Sequence, residues 1–282
     1  MRLFSLLLLL FIPILSFCSP PLDQDPHPKA AEERGFFEKP DAEKESEPPI
    51  DLFQYPQSAS EWGEEIDGVK TRLDTSKKVL ALTFDACGGA FGSGYDEELI
   101  SFLQAEEIPA TLFISGQWVT DNEENKALMQ ELADDPLFQI ENHGRDHLPL
   151  SVDGRTAWGI EGTSSPEEIK NEVVENQEIL NKYTTNEPSY FRAGTAHVDD
   201  VAVQIVNDLH LEIVNYSIAG DGGGTFTKTE VEDALVNAHP GDIALLHMNQ
   251  PESETFEGVK AAVSNLQQEG FEFATLDEYE LK

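Results

Sequence analysis

The chain has 282 residues, 39% of them hydrophobic, with 54 acidic and 18 basic side chains and a formal net charge of −36. That apolar content is enough for a packed core and excludes wholesale disorder. The charge argues against nucleic acid, anionic lipid headgroups and strongly acidic polymers as partners. Residues 1–75 hold only 15 of the acids and 7 of the bases, so the excess belongs to the later part of the chain, where a highly solvated surface is its ordinary meaning.

Arg2 precedes an apolar run from Leu3 to Phe17, which is followed by Pro20 and Pro21. A membrane-spanning helix needs about 20 apolar residues, and this run is shorter. Segment 1–18 therefore reads as a secretory signal, and the protein is expected to be exported: secreted, periplasmic or anchored on the cell envelope. Cys18 stands where a lipoprotein signal places its acylated cysteine, so a lipid anchor there is the one route to a membrane. The only other cysteine is Cys87, and the fold must stand without an intrachain disulfide. Half of the sixteen prolines fall between Pro20 and Pro56 among charged residues, which marks 19–62 as an acidic, Pro-rich tether. Residues 63–282 are left as the folded domain.

From Val79 onward apolar runs alternate with helical patterns. Strands are expected at 79–85, 110–114, 137–141, 189–192, 212–217, 242–247 and 271–276. Helices are expected after Asp96, before Asp134, after Asp199, and near 228–238 and 255–268. Another helix starts at Ser165-Pro166-x-Glu168, where an N-cap, a first-turn proline and a capping-box acid coincide. Alternating strands and helices imply an α/β fold with a parallel sheet. No Gly-rich dinucleotide fingerprint follows the first strand, so a distorted seven-unit (β/α) barrel is preferred over an open doubly wound sheet.

The polar residues that interrupt this pattern fall at strand ends. Asp85 closes the run Val79-Leu80-Ala81-Leu82-Thr83-Phe84, and His247 closes Ile243-Ala244-Leu245-Leu246. Each alone has a bland meaning, a turn-forming Asp or a core His. His143 and His147 are four residues apart, a spacing that would set both imidazoles on one face of a helical turn and suits a divalent metal. With Arg192 and Asp221 they all sit where parallel α/β folds bind ligands, and one shared site explains them together.

In this order the motifs resemble those of the polysaccharide deacetylases, the NodB-homology group or carbohydrate esterase family four. The resemblance spans roughly Gly63 to Lys282, through Thr83-Phe84-Asp85, His143-x-x-x-His147, Phe191-Arg192-Ala193-Gly194-Thr195, Asp221 and Leu245-Leu246-His247. It implies a hydrolase that removes N- or O-acetyl groups from a carbohydrate polymer by means of a divalent metal, zinc first, with cobalt or nickel able to substitute. It implies His143 and His147 as metal ligands, Asp85 as general base, Arg192 as its orienting partner, His247 as general acid oriented by Asp221, and the backbone N–H of Thr195 as oxyanion donor.

The chain departs from the family's pattern at several points. Ala86 replaces the second aspartate of the first motif, a metal ligand, and its place falls to Cys87, Asp85, Asn142 or water; a thiolate would favour zinc. Gly144 replaces a serine or threonine, and Thr195 replaces a tyrosine, removing an aromatic substrate wall. Trp158, in the Gly-containing insertion 151–164, is the expected contact to a sugar ring; Trp118 and Tyr190 are alternatives, with core packing as the rival role for Tyr190. Two other functions compete: a binding module with this fold and no turnover, and a glycoside hydrolase using Asp85 and Asp221, which would leave the histidines unexplained.

Overall fold

The computed structural model describes residues 50–282. The expected signal segment, Cys18 and the tether up to residue 49 lie outside the described residues. In chain order the strands and helices are β1 (Trp62–Gly63), β2 (Val79–Ala86), α1 (Glu97–Ala105), β3 (Ala110–Ile114), α2 (Gly116–Thr120), α3 (Glu123–Asp134) and β4 (Phe138–Asn142). A hairpin of β5 (Thr156–Ala157) and β6 (Ile160–Glu161) precedes α4 (Pro166–Leu180), β7 (Tyr190–Phe191), β8 (Val198–Asp199), α5 (Asp200–Asp208) and β9 (Glu212–Ile213). The chain ends with β10 (Ile218–Ala219), α6 (Lys228–Val236), β11 (Asp242–His247), α7 (Thr255–Gln268) and β12 (Glu272–Phe273).

The main sheet runs β10-β11-β2-β3-β4-β7-β9, with β12 added on β2, and every pairing in it is parallel. Parallel neighbours need crossovers, which the helices supply. Seven strands in this order form the incomplete (β/α) barrel that the alternation implied. Its two edges, β9 and β10, are consecutive in the chain. Segment 70–73 lies between them: Lys70 bridges Val214 just beyond β9, and Arg72 bridges Asp242 at the start of β11.

Strand β2 is buried along its whole length, as expected of a parallel strand covered on both faces. Its alternate residues separate two environments. Leu80, Leu82 and Phe84 pack with Leu99, Leu103 and Val259 of the surrounding helices. Val79 and Ala81 pack with Phe113, Val214 and Ile243. Burying each of the larger side chains contributes about 1.5–3 kcal/mol. Thr83 and Asp85 share the parity of Val79 and Ala81, so the packing of β2 aims the Asp85 carboxylate inward.

Helix starts follow the capping residues. Asp96, Ser165 and Asp199 accept the backbone N–H three residues on, from Leu99, Glu168 and Ala202. The capping box expected at α4 is different in detail: the Glu168 carboxylate bonds the N–H and hydroxyl of Ser164. Ser164 offers two donors to that one oxygen, where the N-cap backbone offers one.

Two expected boundaries are revised. The strand predicted over 212–217 is two elements, β9 and β10, on opposite edges of the sheet. Asn215 makes the break: its side-chain amide donates to Glu64 O and Ala196 O at 2.6 and 2.8 Å, tying the chain to loops instead of a neighbouring strand. Residues 50–62 belong to the packed unit. Tyr55 is buried with its hydroxyl donating to Asp208, and Ile50 and Leu52 pack on a cluster that includes Val201 and Ile205.

Candidate active site

Five strand ends converge on one site. Asp85 lies one residue before the end of β2, His143 follows β4, Arg192 follows β7, Asp221 lies two residues past β10, and His247 ends β11. Asp85 and His247 are register partners across adjacent strands.

Arg192 is fully buried and held on all sides. Its guanidinium donates to Asp85 Oδ1 at 2.7 Å, Thr83 Oγ1 at 2.9 Å, Val214 O at 3.1 Å and Asn215 O at 3.1 Å. It also lies 4.0 Å from the centre of the Phe113 ring, a cation–π contact. Burial alone would raise the Asp85 carboxyl, but Arg192, with His143 and His247, outweighs it and holds the group below the usual aspartate value. The Asp85 carboxyl is therefore held ionised, with its orientation fixed by a buried partner.

The backbone carbonyl of Arg192 sets the tautomer of His143, which donates from Nδ1 to it at 2.8 Å. Nε2 is thereby left to face Cys87 Sγ at 3.8 Å and Asp85 Oδ2 at 3.5 Å. Burial would lower the His143 pKa, and the neighbouring Asp85 and Cys87 raise it instead. The His147 ring meets that of His143 edge-on, with centroids 4.8 Å apart. Cys87, His143 and His147 are all buried, and their donor atoms lie within 4.8 Å of one another. Burial would raise the Cys87 thiol, but His147, His143 and His247 pull it well below its ordinary value.

These residues fit a divalent metal ion. Nδ1 of His147 is buried without a hydrogen-bond partner among the described residues, an expense that coordination would remove. A thiolate with two imidazoles is a donor set suited to zinc. Of the alternatives for the third ligand, Asn142 is committed elsewhere: its amide donates to Val173 O and Gln177 Oε1, and its oxygen accepts from Gly144 N and Asn176. Asp85 stands beside the three-residue donor set, tied to Arg192.

The helical-turn geometry expected for His143 and His147 is corrected. Residues 143–147 form a loop in which Gly144 and His147 have φ of +79° and +59°. The histidines meet because the loop folds over the buried Glu172, whose carboxylate accepts from Asp146 N and Leu148 N at 3.0 and 3.1 Å. Burial pushes Glu172 up to about 7, against the lowering effect of those bonds. A Cβ on Gly144 would come within 2.4 Å of the Glu172 carboxylate, which explains why no serine or threonine stands there.

On the other side of the cavity His247 Nδ1 donates to Asp221 Oδ1 at 2.9 Å, and its backbone N–H donates to Oδ2 at 2.7 Å. Asp221 is fully buried and also accepts from Thr255 Oγ1 at 3.0 Å and Gly223 N at 3.1 Å. Burial would lower the His247 pKa, but Asp221 and Cys87 hold it well above its ordinary value. The rest of its ring faces the cavity, beside Cys87.

The cavity, about 520 Å³, is lined by Asp85, Cys87, His147 and His247, and also by Thr195 and Trp158. Thr195 and Ala196 have φ of +64° and +57°, left-handed values that cost non-glycine residues energy and concentrate at functional sites. The turn lies against the ligand loop: a Cβ on Gly194 would meet His147 O at 2.0 Å. Trp118 and Tyr190 are elsewhere. Trp118 is fully buried with its indole N–H on Gly94 O, and Tyr190 packs beside Leu73 and Phe113. Sequence reasoning missed Glu64, Phe91, Tyr216 and Gln250, which line the same cavity. Tyr216 fell within a predicted strand, and no local pattern distinguished the others.

Residues 72–214 match the family model described as polysaccharide deacetylase. An uncharacterized 30.6 kDa protein of Geobacillus stearothermophilus is 22% identical over 236 residues, 80% of each chain. The peptidoglycan-N-acetylglucosamine deacetylase PgdA of Listeria monocytogenes is 24% identical over 208 residues, 72% of this chain and 39% of that protein. Among solved structures, a CE4 family pseudoenzyme from Bacillus anthracis superposes with a TM-score of 0.62 at 21% identity, over 75% of this chain and 68% of its own. With the match extending over half of its length, the chain belongs to the polysaccharide deacetylase family.

Proposed function

We propose that the protein is an exported zinc enzyme that hydrolyses N- or O-linked acetyl groups on a neutral carbohydrate polymer, such as a chitin-like or other exopolysaccharide or the glycan of peptidoglycan. One observation carries the reading: Cys87 and His147, with His143 beside them, line a single cavity with an ionised Asp85 and an Asp221-backed His247. The signal-like N-terminus supports export, with Cys18 as an anchoring point.

Cys87, His143 and His147 would hold the ion. Such an ion, when bound, polarises the acetyl carbonyl and lowers the pKa of water. Asp85, kept ionised by Arg192, accepts the proton of the attacking water. The Thr195 backbone N–H is the oxyanion donor, presented by the left-handed turn at 195–196. His247, held by Asp221, donates its proton to the departing amine or alcohol as the carbon–nitrogen or carbon–oxygen bond breaks, leaving acetate and the deacetylated sugar.

A binding role without turnover has one observation in its favour, Ala86 in place of the family's second aspartate, and the Bacillus anthracis relative in structure is a pseudoenzyme. A screen for acetate release over N- and O-acetylated polymers, using zinc-loaded protein, separates the readings. Acetate without new reducing ends supports the deacetylase; glycan binding with no acetate supports the binding role.

A further inference from the structure

Trp158 is 81% exposed, yet it lines the same cavity as Asp85, Cys87 and His247. It occupies the tip of the β5–β6 hairpin, where Trp158 and Gly159 have φ of +54° and +83°. Two successive left-handed residues between paired strands make a type I′ turn, for which Asn or Asp followed by Gly is the favoured chemistry. A tryptophan at the first of these positions costs energy, and its indole gains little burial in return. The hairpin is nevertheless held firmly. Arg155 donates to Ala59 O at 2.8 Å and to Asp153 Oδ1 at 3.0 Å, and Gly162 N donates to Arg155 O at 3.0 Å.

The indole is placed by an aromatic neighbour. Trp158 meets His197 edge-on, with centroids 6.2 Å apart at 89°, and His197 in turn lies 5.6 Å from Trp62. His197 is fixed by its Nδ1–H, which donates to Thr195 O at 2.7 Å, and it stands 3.5 Å from Glu64 Oε1. At 81% exposure most of the indole stays open to a ligand. Beside it the cavity wall presents the Glu64 carboxylate, which accepts from the Tyr216 hydroxyl.

We propose that Trp158 and Glu64, braced by His197 and Trp62, form a subsite that binds the pyranose ring next to the one carrying the reacting acetyl group. This rests on the deacetylase reading. A pyranose has an apolar C–H face, which covers the indole, and a hydroxyl edge, which donates to carboxylate oxygens. Glu64 also disfavours a sugar carboxylate at this position. The substrate class is accordingly a neutral acetylated polymer engaged over at least two rings, and Trp158 sets the preference for chain over single sugar.

The test uses Asp85→Asn protein, in which binding is read without turnover, and the tetramer of β-1,4-linked N-acetylglucosamine beside its monomer, by isothermal titration. Adding Trp158→Ala should weaken tetramer binding on the order of tenfold and bring it toward the monomer value, with Trp158→Phe restoring most of the difference. In the otherwise wild-type chain the same change should raise KM for the tetramer far more than it lowers kcat. If the tetramer binds tightly and Trp158→Ala binds it equally well, the subsite is refuted while the deacetylase reading stands. If neither sugar binds and no acetylated polymer releases acetate, the deacetylase reading fails and takes the subsite with it.

Discussion

The floor and the rim of the cavity are built on different principles. On the floor, Asp85, His143, Arg192, Asp221 and His247 sit at the tips of parallel strands, and each is hydrogen-bonded to a neighbour that fixes its orientation. On the rim, Trp158, Thr195 and Glu64 come from a hairpin turn, a left-handed turn and the segment between β1 and the first strand of the main sheet. On the proposed reading, the floor would carry proton transfer and metal binding, and the rim would recognise the polymer lying across it. That reading predicts that substitutions in the two parts fail in different ways.

The largest effect is expected at the floor's charged pair. Asp85→Asn keeps the shape but cannot accept a proton, so turnover should fall by about 10²–10⁴-fold while zinc content stays near wild type; the melting temperature should drop, because the buried Arg192 loses its counter-charge. Turnover close to wild type would remove Asp85 from the role of base. His247→Ala should lower turnover on amide substrates by a similar order, and less on activated esters, whose leaving groups depart without a proton. Equal losses on both would contradict the acid assignment.

Cys87→Ser examines the substituted ligand. Serine keeps the size and loses the soft thiolate, so zinc retention should weaken by roughly 10–100-fold, and the cobalt-loaded protein should lose its sulfur-to-metal charge-transfer absorption. Unchanged zinc affinity would make Cys87 a packing residue only. The smallest effect concerns stability alone. Burial pushes Glu141 up to about 8, partly offset by bonds from Tyr190 and Gln139. The folded state therefore holds this proton more tightly than the unfolded chain, and its contribution is present at low pH and lost as pH rises through about 8. Between pH 5 and 8 the wild type should lose roughly 1–3 kcal/mol that Glu141→Gln does not, read as a flatter dependence of the thermal midpoint on pH; parallel slopes would refute it.

The same contrast explains what could be read in advance. The runs ending in Asp85 and His247 are buried parallel strands, whose pattern is local, and the helices after Asp96 and Asp199 carry their caps in the sequence. The break between β9 and β10 was hidden because an apolar alternation continues through it while Asn215 bonds to residues far away in sequence. The His143–His147 spacing suggested a helical turn, but the loop is shaped by Glu172, 25 residues beyond His147. Glu64 and Tyr216 reach the rim only through tertiary packing, which no short pattern encodes.

The direct test of a metal centre at the floor is acetate release from an N-acetylated glycan by one protein preparation in three states: zinc-loaded, stripped with chelator, and stripped then restored with one equivalent of zinc. The geometry of Cys87, His143 and His147 predicts release, its loss, and its recovery in that order. Acetate released at the same rate by the stripped protein would contradict it.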